Sequence, residues 1–203
     1  MNDVIAAALE LQTFCQRHGW RFCFIRGIGV QRWGEPRFTD DADLTLLTGF
    51  GTEPAFITPL LQSFPPRRPD AAEFALRSRV LLLKNLQGVG LDIALGAFPF
   101  ESHTIDRASH FVFPTGQSLL TCSAEDLLVH KCFANRDKDW GDVDGILARQ
   151  KNKLDFKLVR AELKPLVDMK EEPEILTRLE KKIAHHHQPF TLIQPAKPGK
   201  KHR

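Results

Sequence analysis

The chain has 203 residues, 42% apolar and 26% charged, enough to build the core of one compact domain or of one with a helical appendage. Its net charge of +3 is too small to argue for nucleic acid by itself, and it is concentrated at the end, where P-A-K-P-G-K-K-H-R carries no acid. No apolar run approaches the roughly 20 residues of a membrane span, and Asp3 stands where a signal peptide would carry lysine or arginine, so a cytoplasmic protein with no membrane partner is expected.

In chain order, Val4, Ala8, Leu11 and Cys15 recur at helical spacing and predict an amphipathic helix over 3–18, stopped at His18-Gly19. The aromatic run W-R-F-C-F-I-R over 20–26 reads as a strand. Gly27 and Gly29 permit a tight turn, and a short helix over 28–34 precedes Pro36. A second strand spans 43–48 and is closed by Gly49 and Gly51. Helices over 53–63 and 71–77 flank the Pro- and Arg-rich loop 65–69. A strand over 79–84, a hairpin marked by Gly88 and Gly90, and a partner strand over 91–95 follow. A helix near 100–108 and strands near 110–113 and 117–121 close the mixed part. Beyond Ser123, an N-cap followed by Glu125 and Asp126, the pattern turns purely helical over 124–134, 139–149, 155–168 and 172–185. The fold class is therefore α+β, a mixed sheet region followed by a C-terminal helical bundle. The boundaries expected are 1–122 for the α/β core, 123–187 for the helical region and 188–203 for a basic, disordered tail. Cys15, Cys23, Cys122 and Cys132 are scattered, with no C-x-x-C pair, and read as reduced core thiols.

Three aspartates lie in predicted strands: Asp41 and Asp43 at the entry of one, Asp92 inside another. Residues i and i+2 of a strand share a face about 6–7 Å apart. Desolvating a carboxylate without a partner is costly, so three acids on neighbouring strands call for a shared cation. A pair of divalent ions such as magnesium is the simplest choice. The turn at Gly27, opening a short helix, would offer backbone N–H groups to phosphate oxygens. Asp40 reads as a solvent-facing neighbour. Trp33 and Trp140 read as packing residues rather than base-stacking platforms, and His185-His186-His187 as surface. Of Asp137, Asp139, Asp142 and Asp144, one or two are expected to face the site.

The order Gly27, a spacer of residues 28–40, Asp41-Ala42-Asp43-Leu44 and a later acid, Asp92, resembles the signature of the DNA polymerase β-like nucleotidyltransferase superfamily. Within it, G-x-G…W-G-E-P-R-F-T-x-D-x-D-L, together with S-A-E-D-L-L-V-H-K-C-F-A-N-R-D-K-D-W-G-D-V at Ser123–Val143, resembles the AbiEii-type branch of bacterial toxin–antitoxin systems. The resemblance covers roughly residues 20–150. It implies a nucleotidyltransferase-type mixed β-sheet flanked by helices and the transfer of an NMP from an NTP to a hydroxyl. The acceptor would be an RNA end, tRNA included, or a protein, and an antitoxin protein would be the partner. The same resemblance assigns two magnesium ions (manganese as a substitute) to Asp41, Asp43 and Asp92, and puts Lys131 at the triphosphate. Asp139, or else Asp142, completes the site, and Arg37 and Thr39 match an Arg-x-Thr that leads into the metal motif, the arginine orienting or neutralising the acids. One departure stands out: where the family carries two small residues, this chain has Arg26-Gly27. Arg26 either adds a phosphate contact or blocks the nucleotide, which leaves a catalytically degenerate binding module as the alternative. A metal-dependent D-x-D glycosyltransferase using a nucleotide-sugar is a third reading, opposed by the early position of the motif.

Overall fold

The computed structural model describes residues 2–187; the tail expected over 188–203 lies outside the described residues. The chain begins with α1 (Asn2–Arg17), which buries Val4, Ile5, Ala8, Leu11 and Cys15 and stops before Gly19 in the left-handed region. There follow β1 (Phe22–Phe24), α2 (Arg26–Trp33), β2 (Asp41–Leu47), α3 (Pro54–Ser63), α4 (Ala71–Ser78), β3 (Val80–Lys84) and β4 (Gly90–Gly96). Then come α5 (Pro99–Asp106), β5 (Ser109–Val112), β6 (Ser118–Thr121), α6 (Ala124–Ala134), α7 (Asp137–Gln150), α8 (Phe156–Lys170) and α9 (Glu174–His187).

The six strands form one mixed sheet in the order β3-β4-β2-β1-β6-β5. β2 runs parallel to β4 and antiparallel to β1, and β1 meets β6 in parallel. Alternation along the central strands sorts their side chains into two layers. Ala42, Leu44 and Leu46 of β2 and Leu91, Ile93 and Leu95 of β4 are buried in a core shared with α1, α3 and α4. Each buried leucine or isoleucine there contributes roughly 1.5–3 kcal/mol of apolar transfer. The opposite face turns Asp41, Asp43 and Thr45 toward the side of the C-terminal helices, which form a second core around Leu127, Cys132, Trp140, Val143, Val159 and Leu163. The architecture is thus a mixed α/β sheet flanked by helices and continued by a helical bundle, as the sequence predicts. All four cysteines are buried free thiols.

Two boundaries differ from expectation in ways that matter for the site. β2 begins at Asp41, two residues early, so both aspartates lie in the ladder with β4 rather than at its entrance. α2 begins at Arg26, so Gly27 and Gly29 are inside its first turn. The left-handed residue at that junction is Arg26 itself, with φ 47°. For a residue with a Cβ this costs roughly 1–2 kcal/mol. The glycines serve close packing instead. A Cβ on Gly27 would stand 2.5 Å from Thr39 Oγ1, and one on Gly29 would stand 3.0 Å from the Leu127 side chain of α6. Gly90, expected to punctuate the hairpin, lies in β4; the turn uses Gly88, at φ 87°.

Candidate active site

Parallel pairing of β2 with β4 sets Asp43 opposite Asp92 and Asp41 opposite Gly90. Directly paired residues on adjacent strands share a face at one strand spacing, about 4.8 Å. The three acids therefore form one cluster on the face away from α1. Gly90 is part of it: a Cβ there would overlap the Asp41 carboxylate, so the missing side chain makes room for the acid. Asp40, next in the chain, is exposed.

Each acid faces an arginine. Arg26 Nη1 donates to Asp43 Oδ1 at 3.0 Å. Arg67 bridges the other two, through Nη1 to Asp41 Oδ1 at 3.4 Å and through Nη2 to Asp92. Arg67 comes from the loop read in the sequence only as Pro- and Arg-rich. Its backbone N–H donates to Leu82 O of β3, and that contact docks the loop over the sheet edge. Burial pushes the Asp43 carboxyl above its ordinary range even though Arg26 pulls the other way. A carboxylate so placed gains from a full cation.

Among the described residues no three His, Cys, Asp or Glu side chains converge as ligands of one ion, and these three carboxylates are turned to guanidinium groups. The donor set nevertheless fits a hard divalent cation: three carboxylates on one face, oxygen donors only, and a guanidinium bridging Asp41 and Asp92 where a positive charge belongs.

Above the acids lies a polar cleft of about 270 Å³ lined by Arg26, Gly27, Thr39, Asp41, Asp43 and Asp92 on the sheet side, and by Lys131, Arg136, Lys138 and Asp139 on the helical side. Thr39 Oγ1 donates to Asp41 O at 3.3 Å and abuts Gly27, joining the turn to the metal motif. Ser123 caps α6, its Oγ accepting from Asp126 N at 3.0 Å. That cap fixes the helix on which Lys131 rides.

Lys131 is only 2% exposed. Its ammonium pairs with Asp142 Oδ2 at 2.7 Å and Asp139 Oδ1 at 3.2 Å. Arg37 grips Asp142 from outside with two bonds of 2.8 and 2.9 Å, and Arg136 grips Asp139 at 2.5 and 3.2 Å. Burial alone would raise Asp142, but the bonds from Arg37 and Lys131 outweigh it and hold the acid below the usual range. Arg136 and Lys131 do the same for Asp139. Three cations thus enclose two carboxylates. Arg37 pairs with Asp142 rather than with Asp41 or Asp43, because the segment that carries it leans against α7. Of the four acids of α7, Asp139 lines the cleft and Asp142 sits behind it, whereas Asp137 is exposed and Asp144 turns to Lys182 and His186 of α9. Trp33 and Trp140 pack, their indole N–H groups donating to Cys122 O and Asn135 Oδ1.

Sequence reasoning did not assign Arg67, Gly90, Arg136 or Lys138 to the site. Arg136 carried a signal, standing just before the α7 acids; Arg67 and Gly90 depend on the ladder and the loop crossing, which a linear pattern does not hold.

No family model matches the chain, and no curated protein matches it. Solved structures do resemble it. The antibiotic-resistance factor ANT(2'')-Ia aligns at 14% identity over 91% of this chain and 97% of its own, with a TM-score of 0.52. An antigenic nucleotidyltransferase-like protein from Paracoccidioides brasiliensis aligns at 18% identity over 89% and 94%, with a TM-score of 0.45. The lincosamide antibiotic adenylyltransferase LnuA in its lincomycin-bound form aligns at 14% identity over 68% and 92%, with a TM-score of 0.46. The likeness to ANT(2'')-Ia is one of fold, and the chain has a nucleotidyltransferase-type fold.

Proposed function

We propose that this chain is a metal-dependent nucleotidyltransferase, and the observation that carries the reading is the in-register pairing of Asp43 with Asp92 beside Asp41 on one open face of the sheet. Asp41, Asp43 and Asp92 would hold two magnesium ions, or manganese in their place; such ions, when bound, neutralise phosphate charge and lower the barrier to in-line displacement. The backbone of Gly27 offers its N–H at the start of α2, where a Cβ does not fit, to a phosphate oxygen. Arg26, Arg136 and Lys138 face the same cleft and add positive charge along a triphosphate. Lys131 and Asp139 line the cleft beside them, so that Lys131 lies at the triphosphate, while its bonds to Asp139 and Asp142 hold the two acids that Arg136 and Arg37 grip. Asp92 accepts the proton of the acceptor hydroxyl at its carboxylate oxygen. The hydroxyl oxygen bonds to the α-phosphorus, the bond from that phosphorus to the bridging oxygen breaks, and pyrophosphate leaves. The core 1–122 supplies the acids, and the helical region 123–187 completes the cleft.

The finer part of the proposal follows the AbiEii-type resemblance: an acceptor hydroxyl on an RNA end such as that of tRNA, or on a protein, in a toxin held in check by an antitoxin. Incubation of the full chain with α-labelled NTP, magnesium, and cell RNA and protein tests it. Label is expected in a macromolecular product and is expected to vanish in Asp41→Ala. No labelled product from any of the four NTPs, with Asp41→Ala indistinguishable from the parent, sinks the reading.

A second reading is favoured by one observation. Arg26 and Arg67 between them already pair with all three acids, as they would in a binding module that no longer catalyses. Calorimetry separates the two: magnesium-dependent NTP binding belongs to the enzyme, and its absence to the degenerate module.

A further inference from the structure

Arg67 approaches the acids from the edge of the sheet, whereas Arg26 meets them from the cleft. The loop that carries Arg67 adds a short antiparallel rung outside β3. Pro66 pairs with Leu83, the Arg67 N–H donates to Leu82 O at 3.0 Å, and the Lys84 N–H donates to Pro65 O at 2.9 Å. Proline has no N–H to offer a further strand, so it suits such an outer position. This register sets Arg67 beside Leu82, Leu82 beside Asp92, and Asp92 beside Asp43 in one row. Two strand spacings, about 9.6 Å, separate the backbone of Arg67 from that of Asp92. A long side chain laid over Leu82 covers that span. Main-chain bonds therefore fix where Arg67 starts, and they do not depend on where its guanidinium ends.

The guanidinium lies between two carboxylates. Nη1 contacts Asp41 Oδ1 at 3.4 Å, and Nη2 contacts Asp92 Oδ1. It also stands over Gly90, with Nη1 3.0 Å from the point that a Cβ there would occupy. The bare Cα of Gly90 thus makes room for the Asp41 carboxylate and for the guanidinium at once. A divalent cation shared by Asp41 and Asp92 draws on the same two oxygens and the same space. The Arg67 side chain is 29% exposed, so water can receive it when it leaves. We propose that Arg67 is a built-in competitor of the divalent ion, a latch on Asp41 and Asp92 whose closed fraction sets the metal affinity of the site. A latch closed roughly nine-tenths of the time weakens the apparent affinity about tenfold, because the ion binds only the open fraction. The inference rests on the metal-dependent reading of the three acids. It makes one of the two arginines that pair with them a reversible occupant of the site.

The test is a manganese titration of the full chain without nucleotide, followed by manganese resonance, so that binding is read rather than activity. Arg67→Gln keeps the main-chain rung and removes the charge, and it should bind manganese about tenfold more tightly than the parent. Arg67→Lys keeps the charge but loses the planar fork that bridges two carboxylates, and it should fall between the two. Arg68→Gln serves as the control for net charge. It lies in the same loop, but its guanidinium is held by Asp70 at 2.9 and 3.0 Å, and its affinity should match the parent's. Should Arg67→Gln fail to fold, Arg67→Lys carries the comparison. Binding by Arg67→Gln where the parent shows none also supports the latch. If the parent binds manganese and Arg67→Gln binds equally or more weakly, the latch is wrong and the metal-dependent reading stands. An Arg68→Gln gain as large as that of Arg67→Gln overturns the latch in favour of net charge. Absence of binding in the parent and in Arg67→Gln alike removes both the latch and the metal-dependent reading.

Discussion

Lys131→Met is the substitution that most directly tests whether the buried charge cluster at the helical wall of the cleft is understood. At an effective dielectric of about 20, the contacts of 2.7 and 3.2 Å to Asp142 and Asp139 are worth roughly 6 and 5 kcal/mol before solvation is counted. Desolvating the ions costs several kcal/mol each, so most of that attraction is offset. Breaking a buried pair by removing one partner typically costs about 3–5 kcal/mol. Here the two carboxylates keep Arg37 and Arg136, so the residual cluster is two acids with two guanidiniums and no net charge. The loss is therefore expected at the low end, about 3 kcal/mol. Methionine preserves the aliphatic stem, which limits any cavity contribution. Arg136→Met removes a cation whose side chain is 51% exposed and should cost within about 1 kcal/mol. Urea unfolding of the three proteins, compared through midpoints and slopes, measures both losses. Tripolyphosphate titration of the folded variants reads the effect on the cleft. A stability loss below about 1 kcal/mol for Lys131→Met, with phosphate binding abolished, would refute the anchoring role and assign the ammonium directly to the phosphates.

Other substitutions test single contacts. Gly90→Ala puts a methyl group into the volume of the Asp41 carboxylate and should weaken magnesium or manganese binding about 10–100-fold with the fold intact, as followed by manganese resonance. Gly27→Ala brings a Cβ within 2.5 Å of Thr39 Oγ1 and should cost roughly 1–3 kcal/mol, part of which Thr39→Ala returns; additivity of the two changes would remove the proposed contact. Burial, with the charges of Arg26 and Lys131, lowers the His130 pKa from 6.5 to about 4, while Asp126 opposes the shift. The unfolded chain then binds the extra proton first, so stability is full above pH 6.5 and falls by roughly 3 kcal/mol down to about pH 4. His130→Gln should flatten that slope. Asp139 and Asp142, held low, keep their contribution until the pH drops below the ordinary carboxylate value of 3.8. A parent and a His130→Gln variant that lose stability in parallel between pH 6.5 and 4 would show that another group carries the slope.

What the sequence determined by itself is the order and kind of the elements and the identity of the acids. Apolar residues at helical spacing in α1, the aromatic run of β1 and the Ser123 cap of α6 are local signals, and each produced an element within two or so residues of its expected place. Aspartates inside apolar strands are costly wherever the strands go, so Asp41, Asp43 and Asp92 stood out as candidate site residues before any pairing was known. The tertiary structure decided what depends on which residues oppose one another. Register sets Asp43 against Asp92, and makes Gly90, a turn signal in the sequence, into space for Asp41. A loop crossing brings Arg67 to two acids from outside the motif. Packing of α6 on α7 buries the Lys131 ammonium between two carboxylates, a fate indistinguishable in the sequence from an exposed lysine on a helix. None of these is a property of nearest neighbours in the chain; each follows from desolvation and contact between segments that only folding brings within reach.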